Sequence, residues 1–343
     1  MSRLQFPTTR LGRRRRGNPH ARWGRRHGGL GRPLALLLLG LLALDWVAGP
    51  SAASAFPINA PNARTLFGGF TLGSFRLRVT REATLKEGTE TVSDPRDQSV
   101  MTFEEDFTLV YGATRDLTVG ATLHIVERRL RFDDPAGGRR TLSADGLGDL
   151  TLVGAYRFFR RDVERGTTQF SFLGGLKLPT GATDIDDSDL PRLTGGTETR
   201  LPPSLQLGSG SVDGIVGLAG FHNMNRLSFY ADVQGKLNSE GSQDFRAGNQ
   251  LHYDLSADYV LLPGRNMFLI LELNGVLAER AEQAGRTVRD SGGHLLFLSP
   301  GIQYLPIPPL ILEAGVQIPI LRDLNGRQLA PDWSVVVGLR YLF

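Results

Sequence analysis

Apolar and polar residues alternate one by one along most of the chain beyond residue 74. The pattern is clearest at 117–125, where Leu117, Val119, Ala121, Leu123 and Ile125 interleave with Thr118, Gly120, Thr122 and His124. A strand sends successive side chains to opposite faces, so a period of two marks a strand with one apolar and one polar face. The same period, or an apolar run of strand length, recurs at 75–85, 102–111, 150–158, 170–178, 227–236, 251–259, 267–277, 295–304, 310–318 and 333–343. One further strand falls between 205 and 221, where Gly208, Gly210 and Gly214 blur the phase and suggest a bulge. The connections alternate in length. Those at 112–116, 160–166, 222–225, 263–266 and 306–309 are short, and those at 133–148, 179–203, 238–249, 279–293 and around Asn325-Gly326 are longer and polar.

The last strand decides the environment. Trp333, Val335, Val337, Leu339, Tyr341 and Phe343 form one apolar face, and the chain stops on the aromatic ring. In water that is an adhesive edge. Lipid accepts the apolar face, and ring closure removes the edge. The expected fold class is therefore all-β: a transmembrane antiparallel up-and-down β-barrel of about 12 strands. Short periplasmic turns and longer extracellular loops are expected. Leu339, Tyr341 and Phe343 match the terminal membrane-insertion signal of bacterial outer-membrane barrels, which implies the barrel-assembly machinery as a partner of the C-terminal strand. Outer-membrane lipids are the other expected partner.

Composition changes this picture only at the N-terminus. Of 39 basic residues ten lie in the first 55, against one of the 35 acids. The remainder thus carries 29 basic and 34 acidic residues, a net of −5, and a nucleic-acid partner is not expected. Residues 1–55 read as an export signal: an arginine-rich start, the apolar run 34–44, and Ala53-Ser54-Ala55 as the cleavage motif. Cleavage near Ala55 makes Phe56 the first mature residue. Residues 56–73, with Pro57, Pro61 and Gly68-Gly69, read as a periplasmic lead-in, and 74–343 as the barrel. The chain has no cysteine, so no disulfide contributes. The expected location is the outer membrane of a Gram-negative bacterium.

Four Gly-rich motifs then fall in order. They are Tyr111-Gly112-Ala113-Thr114-Arg115-Asp116, Gly146-Leu147-Gly148-Asp149-Leu150, Leu178-Pro179-Thr180-Gly181 and Leu207-Gly208-Ser209-Gly210-Ser211-Val212-Asp213. Together they resemble the outer-membrane barrels named for the meta-pathway of phenol degradation. The resemblance covers about residues 75–343. It implies a barrel and suggests a pore for small molecules, with aromatic compounds among the candidates. It supplies no catalytic or ligand residue to carry over.

The polar phase nominates a lumen lining: Arg76, Arg78, Glu104, Asp106, His124, Arg157, Lys177, Asp232, Lys236, Asp254, Asp258, Glu272, Glu313 and Arg340. Such a lining can select permeants. It can equally be a set of ion pairs that satisfies a filled interior. Tyr230 and Phe159 are the only aromatics assigned inward, too few for a greasy track. Asp184, Asp186, Asp187 and Asp189 crowd the longest loop but depart from the EF-hand pattern, so no metal is assigned. No cofactor is expected. No catalytic residue is assigned either, since His124 and His252 fall on the phase that lipid cannot reach. The leading function is a passive outer-membrane channel or facilitator for small molecules. The alternatives are a closed structural or adhesion-type barrel, and a lipid-modifying barrel enzyme.

Overall fold

The computed structural model describes residues 56–343 apart from 62, 165 and 263–265. The expected export signal lies outside the described residues. Eleven strands form the ring. They are β1 (Thr71–Gly88), β2 (Ser99–Gly112), β3 (Leu117–Asp133), β4 (Leu150–Val163), β5 (Gly166–Leu178), β6 (Asp213–Met224), β7 (Leu227–Leu237), β8 (Gln250–Leu262), β9 (Met267–Ala278), β10 (Gly293–Ile307) and β11 (Leu310–Leu342). Each pairs antiparallel with the next, and β11 closes the ring on β1 with Phe75 opposite Leu339 and Leu77 opposite Val337.

A ring whose neighbours are all antiparallel needs an even number of staves. β11 supplies two. Residues 310–324 pair with β10, residues 324–342 pair with β1, and the chain reverses at Asn325-Gly326, where Gly326 has φ +69°. Leu342 N donates to Pro309 O at 2.9 Å, which holds the two arms together at their base. The eleven elements therefore give the twelve passes that the alternation of loops predicts.

The alternation sorts as expected. Leu109, Val119, Val216 and Val337 are exposed on the outer face, whereas Asp106, Thr118 and Val336 are buried inside. Two segments depart from the expectation. The connection 133–148 is not a polar loop. β3 runs on to Asp133, and a further strand, Arg139–Leu147, pairs back along it. The strand sought between 205 and 221 is β6, which begins only at Asp213.

The residues that lead to β6 instead cover the long-loop mouth. Leu190, Leu201, Leu205 and Leu207 pack on Val126, Leu130 and Phe132 of β3 and on Leu142 and Ala144 of the added strand. A short helix, Leu190–Thr194, sits within this cover. Burying these side chains contributes about 1.5–3 kcal/mol each. The cover is thus a small hydrophobic core built from the inner face of the extended wall.

Candidate functional site

The ring interior holds the site, and its centre is a piece of the chain itself. The described residues of 56–66 lie inside the ring, bonded to inward side chains from strands all round it. Phe56 N donates to Gln303 Oε1 at 3.0 Å, and Gln303 Nε2 donates back to Phe56 O at 2.9 Å. Ile58 N and Asn59 N donate to Glu272 at 2.7 and 3.0 Å, and Asn59 Nδ2 adds a third bond at 2.7 Å. Arg340 and Arg76 donate to the Pro57 and Ile58 carbonyls at 2.8 and 2.9 Å. Further along, Ala63 O accepts from Ser171 Oγ, and Leu66 N donates to Thr118 Oγ1. The N–H groups of Ile58 and Asn59 thus face the acid of β9, and the carbonyls of Pro57 and Ile58 face the arginines of β11 and β1.

Two glycines make room for it. A β-carbon on Gly301 would stand 2.5 Å from Ile58 Cδ1, and one on Gly315 3.4 Å away. The two glycines are partners across β10 and β11. Ile58 fills the niche they leave, with Phe268, Ile270, Leu305, Ile311 and Val336 around it.

A column of alternating cations and rings crosses the same level. Arg340 lies 5.7 Å from the Phe56 ring centre. Arg64 lies 5.0 Å from Phe56 and 5.1 Å from Phe221, which meets Tyr230 at 4.9 Å. Each desolvated cation–ring contact is worth about 2 kcal/mol.

The nominated lining residues fall into groups. Asp106 joins His124 at 2.6 Å and Arg76 at 3.7 Å, while Glu104 approaches His124 at 3.4 Å. Carboxylates and an imidazole this close could hold a metal ion, but Arg76 already supplies a positive charge to Asp106. Arg340 pairs with the fully buried Glu313 at 2.8 Å. Arg78 donates to Gln317 at 2.6 Å. Asp232 and Asp254 stand opposite each other across β7 and β8, braced by Gln234 and Asn274. Asp258 accepts from Ser256 at 2.9 Å. Acids therefore gather on β7, β8 and β9, and guanidinium groups on β1 and the second arm of β11.

Lys177 and Lys236 belong to a separate cluster at the long-loop mouth. Lys177 Nζ lies 2.9 Å from Asp149 and 2.7 Å from Asp213, and also touches Ser209 and Ser211. Lys236 approaches Asp213 at 3.9 Å. Burial alone would raise the Asp149 carboxyl. The Lys177 ammonium and donors from Ser209 and Gly181 outweigh that and hold it below the ordinary carboxylate range. Arg157 sits at the opposite rim, with its guanidinium on Asp116 at 2.6 Å and on the Arg115 carbonyl at 2.7 Å.

Sequence reasoning missed Phe56, Asn59, Arg64, Asp213, Phe221 and Gln303. It also turned Phe159 inward. A register shift between Arg157 and Phe159 in β4 moves that ring onto Phe170 on the outer face. Phe268 and Ile270 share the even phase of Glu272, so that greasy inner patch was present in the pattern.

Known proteins agree with this architecture. The family described as "Putative MetA-pathway of phenol degradation" matches residues 80–320. The chain belongs to this family. An outer membrane channel from Pseudomonas putida F1 superposes with a TM-score of 0.64 at 15% identity, covering 84% of this chain and all of the other. The translocator domain of the Neisseria meningitidis autotransporter NalP gives a TM-score of 0.42 at 10% identity, with 80% and 88% covered. The P. putida toluene transporter TodX gives 0.41 at 10% identity, with 80% and 90% covered. Only the first score is high enough to compare folds. No curated protein matches the chain in sequence. Family and fold together make this a Gram-negative outer-membrane barrel.

Proposed function

We propose that the protein is an outer-membrane channel for passive passage of small molecules, aromatic compounds among them, and that residues 56–66 are the part that must yield. One observation carries this reading. At the level of Glu272 the ring is closed in part by a length of backbone and not by wall side chains alone, and that backbone is held by hydrogen bonds and one aliphatic niche. A barrel closed for structural reasons alone fills with side chains, as eight-stranded barrels do. A wider ring with an inner segment has a path once the segment moves. The P. putida neighbour is itself an outer membrane channel, and the family is named for phenol degradation. Both support the permeant class.

The nominated residues inside the ring act, on this reading, as the lining the permeant meets, with Lys177 and Lys236 at the long-loop mouth and Arg157 at the opposite rim. The strand that ends on Phe343 is the segment the assembly machinery engages. Its Phe343 N donates to Thr71 O at 2.7 Å, at the seam that closes the ring.

The test is single-channel current in a planar bilayer, with and without phenol in the bath, for the complete exported chain and for a deletion of residues 57–63. The deletion should conduct more than the unmodified protein, and phenol but not a sugar should block the current. Silence from both folded proteins would refute the channel and leave the closed structural barrel.

A further inference from the structure

Phe56 occupies a setting unusual for a residue inside a polar lumen. Two guanidinium groups lie over its ring, Arg64 at 5.0 Å and Arg340 at 5.7 Å from its centre. It also packs against the buried apolar cluster that includes Phe268, Leu305 and Ile311. Its backbone nitrogen donates to the side-chain carbonyl of the fully buried Gln303. The seat therefore offers cations to the face of an electron-rich ring, an apolar floor to its edge, and a fixed acceptor to one donor group.

We propose that this seat is a binding subsite for a small neutral aromatic molecule carrying one hydrogen-bond donor, of the phenol type, and that Phe56 holds it as an internal stand-in. The proposal rests on the channel reading above and names the chemistry its interior selects. The wall supplies the parts that remain when Phe56 withdraws. Arg340 stays fixed by Glu313 at 2.8 Å. Gln303 stays oriented by its bond to the other oxygen-bearing partner, Glu313 Oε2, at 2.9 Å. The apolar floor belongs to β9, β10 and β11. A hydroxyl on the ring would donate to Gln303 Oε1 where the Phe56 nitrogen now does. Toluene would leave that buried acceptor without its donor, and cyclohexanol would offer no π-face to the guanidinium.

The binding test needs no current. The exported protein is extracted in detergent, its N-terminus checked by mass spectrometry, and titrated with phenol, toluene and cyclohexanol by calorimetry. Because the apparent affinity scales with the fraction of vacant seats, Phe56→Ala should bind phenol about tenfold or more tightly than the unmodified chain. Phenol should lead toluene and cyclohexanol in that variant. Gln303→Met, which keeps the side chain's length and removes its acceptor, should erase the preference for phenol over toluene. Equal phenol affinity in Phe56→Ala and the unmodified chain would overturn the subsite. So would equal binding of cyclohexanol, or a phenol preference that survives Gln303→Met. A barrel that conducts phenol but fails these titrations loses the subsite and keeps its channel. One that passes them without conducting loses the channel and keeps the subsite.

Discussion

Glu272→Gln isolates the bond set that seats the inner segment. The Glu272 side chain is 1% exposed and accepts from Ile58 N, Asn59 N and Asn59 Nδ2 at 2.7, 3.0 and 2.7 Å. A carboxylate offers two oxygens, whereas an amide offers one and turns a donor toward the other position. At least one charge-assisted bond is lost and one pair of donors is left opposed. Losing the bond costs about 1.5–3 kcal/mol, and the stranded donors add about 1–3 more, less whatever local relaxation recovers. A net of about 2–5 kcal/mol shifts the seated-to-unseated ratio by roughly 30- to 4,000-fold. One effect opposes this. Removing a charge near Asp254 and Asp258 relieves repulsion in the ring. That relief is felt with the segment in or out, so it steadies the barrel without reseating the segment. The readout is trypsin cleavage after Arg64, which sits within the segment. When reclosing outpaces cleavage, the rate follows the open population. Cleavage should rise at least tenfold while the temperature at which the folded band converts on a gel stays level or rises. An unchanged cleavage rate would refute the reasoning. So would a rise that merely tracks loss of the whole barrel.

Gly301→Val should give the same cleavage by steric means alone, since a β-carbon there would already stand 2.5 Å from Ile58 Cδ1 and the branched side chain crowds the niche further, while every polar partner of the segment on the wall is kept. Bilayer current should rise in parallel, and a silent, uncleaved variant would show that the niche is not needed. Arg340→Met strands the fully buried Glu313 carboxylate and should lower barrel stability by about 3–5 kcal/mol. Adding Glu313→Gln to it should restore most of that loss in the gel-conversion assay. At the long-loop mouth the Asp149 carboxyl is depressed, so its contribution is complete above the unfolded value near about 3.9 and fades only as pH falls through the lower folded value. Hydrogen exchange at residues 205–212 should therefore show no added opening between pH 7 and about pH 4, and opening in that window would contradict the pairing with Lys177.

The wall was legible in the sequence because its determinants are local. The two-residue period, the alternation of loop lengths and the terminal Phe343 each reside in neighbouring positions. What the lumen contains was not legible, because its contacts are long-range. Phe56 and Gln303 are 247 residues apart, and Ile58 and Glu272 are 214 apart. Nothing in 56–66 has a period, since a segment bonded to several walls at once answers to no repeating face. The Phe159 error has a different origin. A strand's phase is reliable only until a bulge inserts one residue, and β4 shifts between Arg157 and Phe159. The extra strand Arg139–Leu147 carries a buried Leu142 and Ala144 amid polar residues, because its partner core comes from a loop some fifty residues later.

The inner segment is joined to the wall through β1, which begins at Thr71, a few residues after the segment's last contact. It cannot be diluted away. A released segment on so short a leash stays at an effective concentration on the order of millimolar near its own seat. Re-seating is therefore unimolecular and indifferent to how much protein the membrane holds. A permeant that takes the seat competes against that standing local concentration rather than against water. A permeant held as tightly as the segment would open the ring only as its concentration approached the millimolar range, and a tighter one would need proportionately less. The leash thus enters the threshold for passage alongside the affinity that the lining supplies.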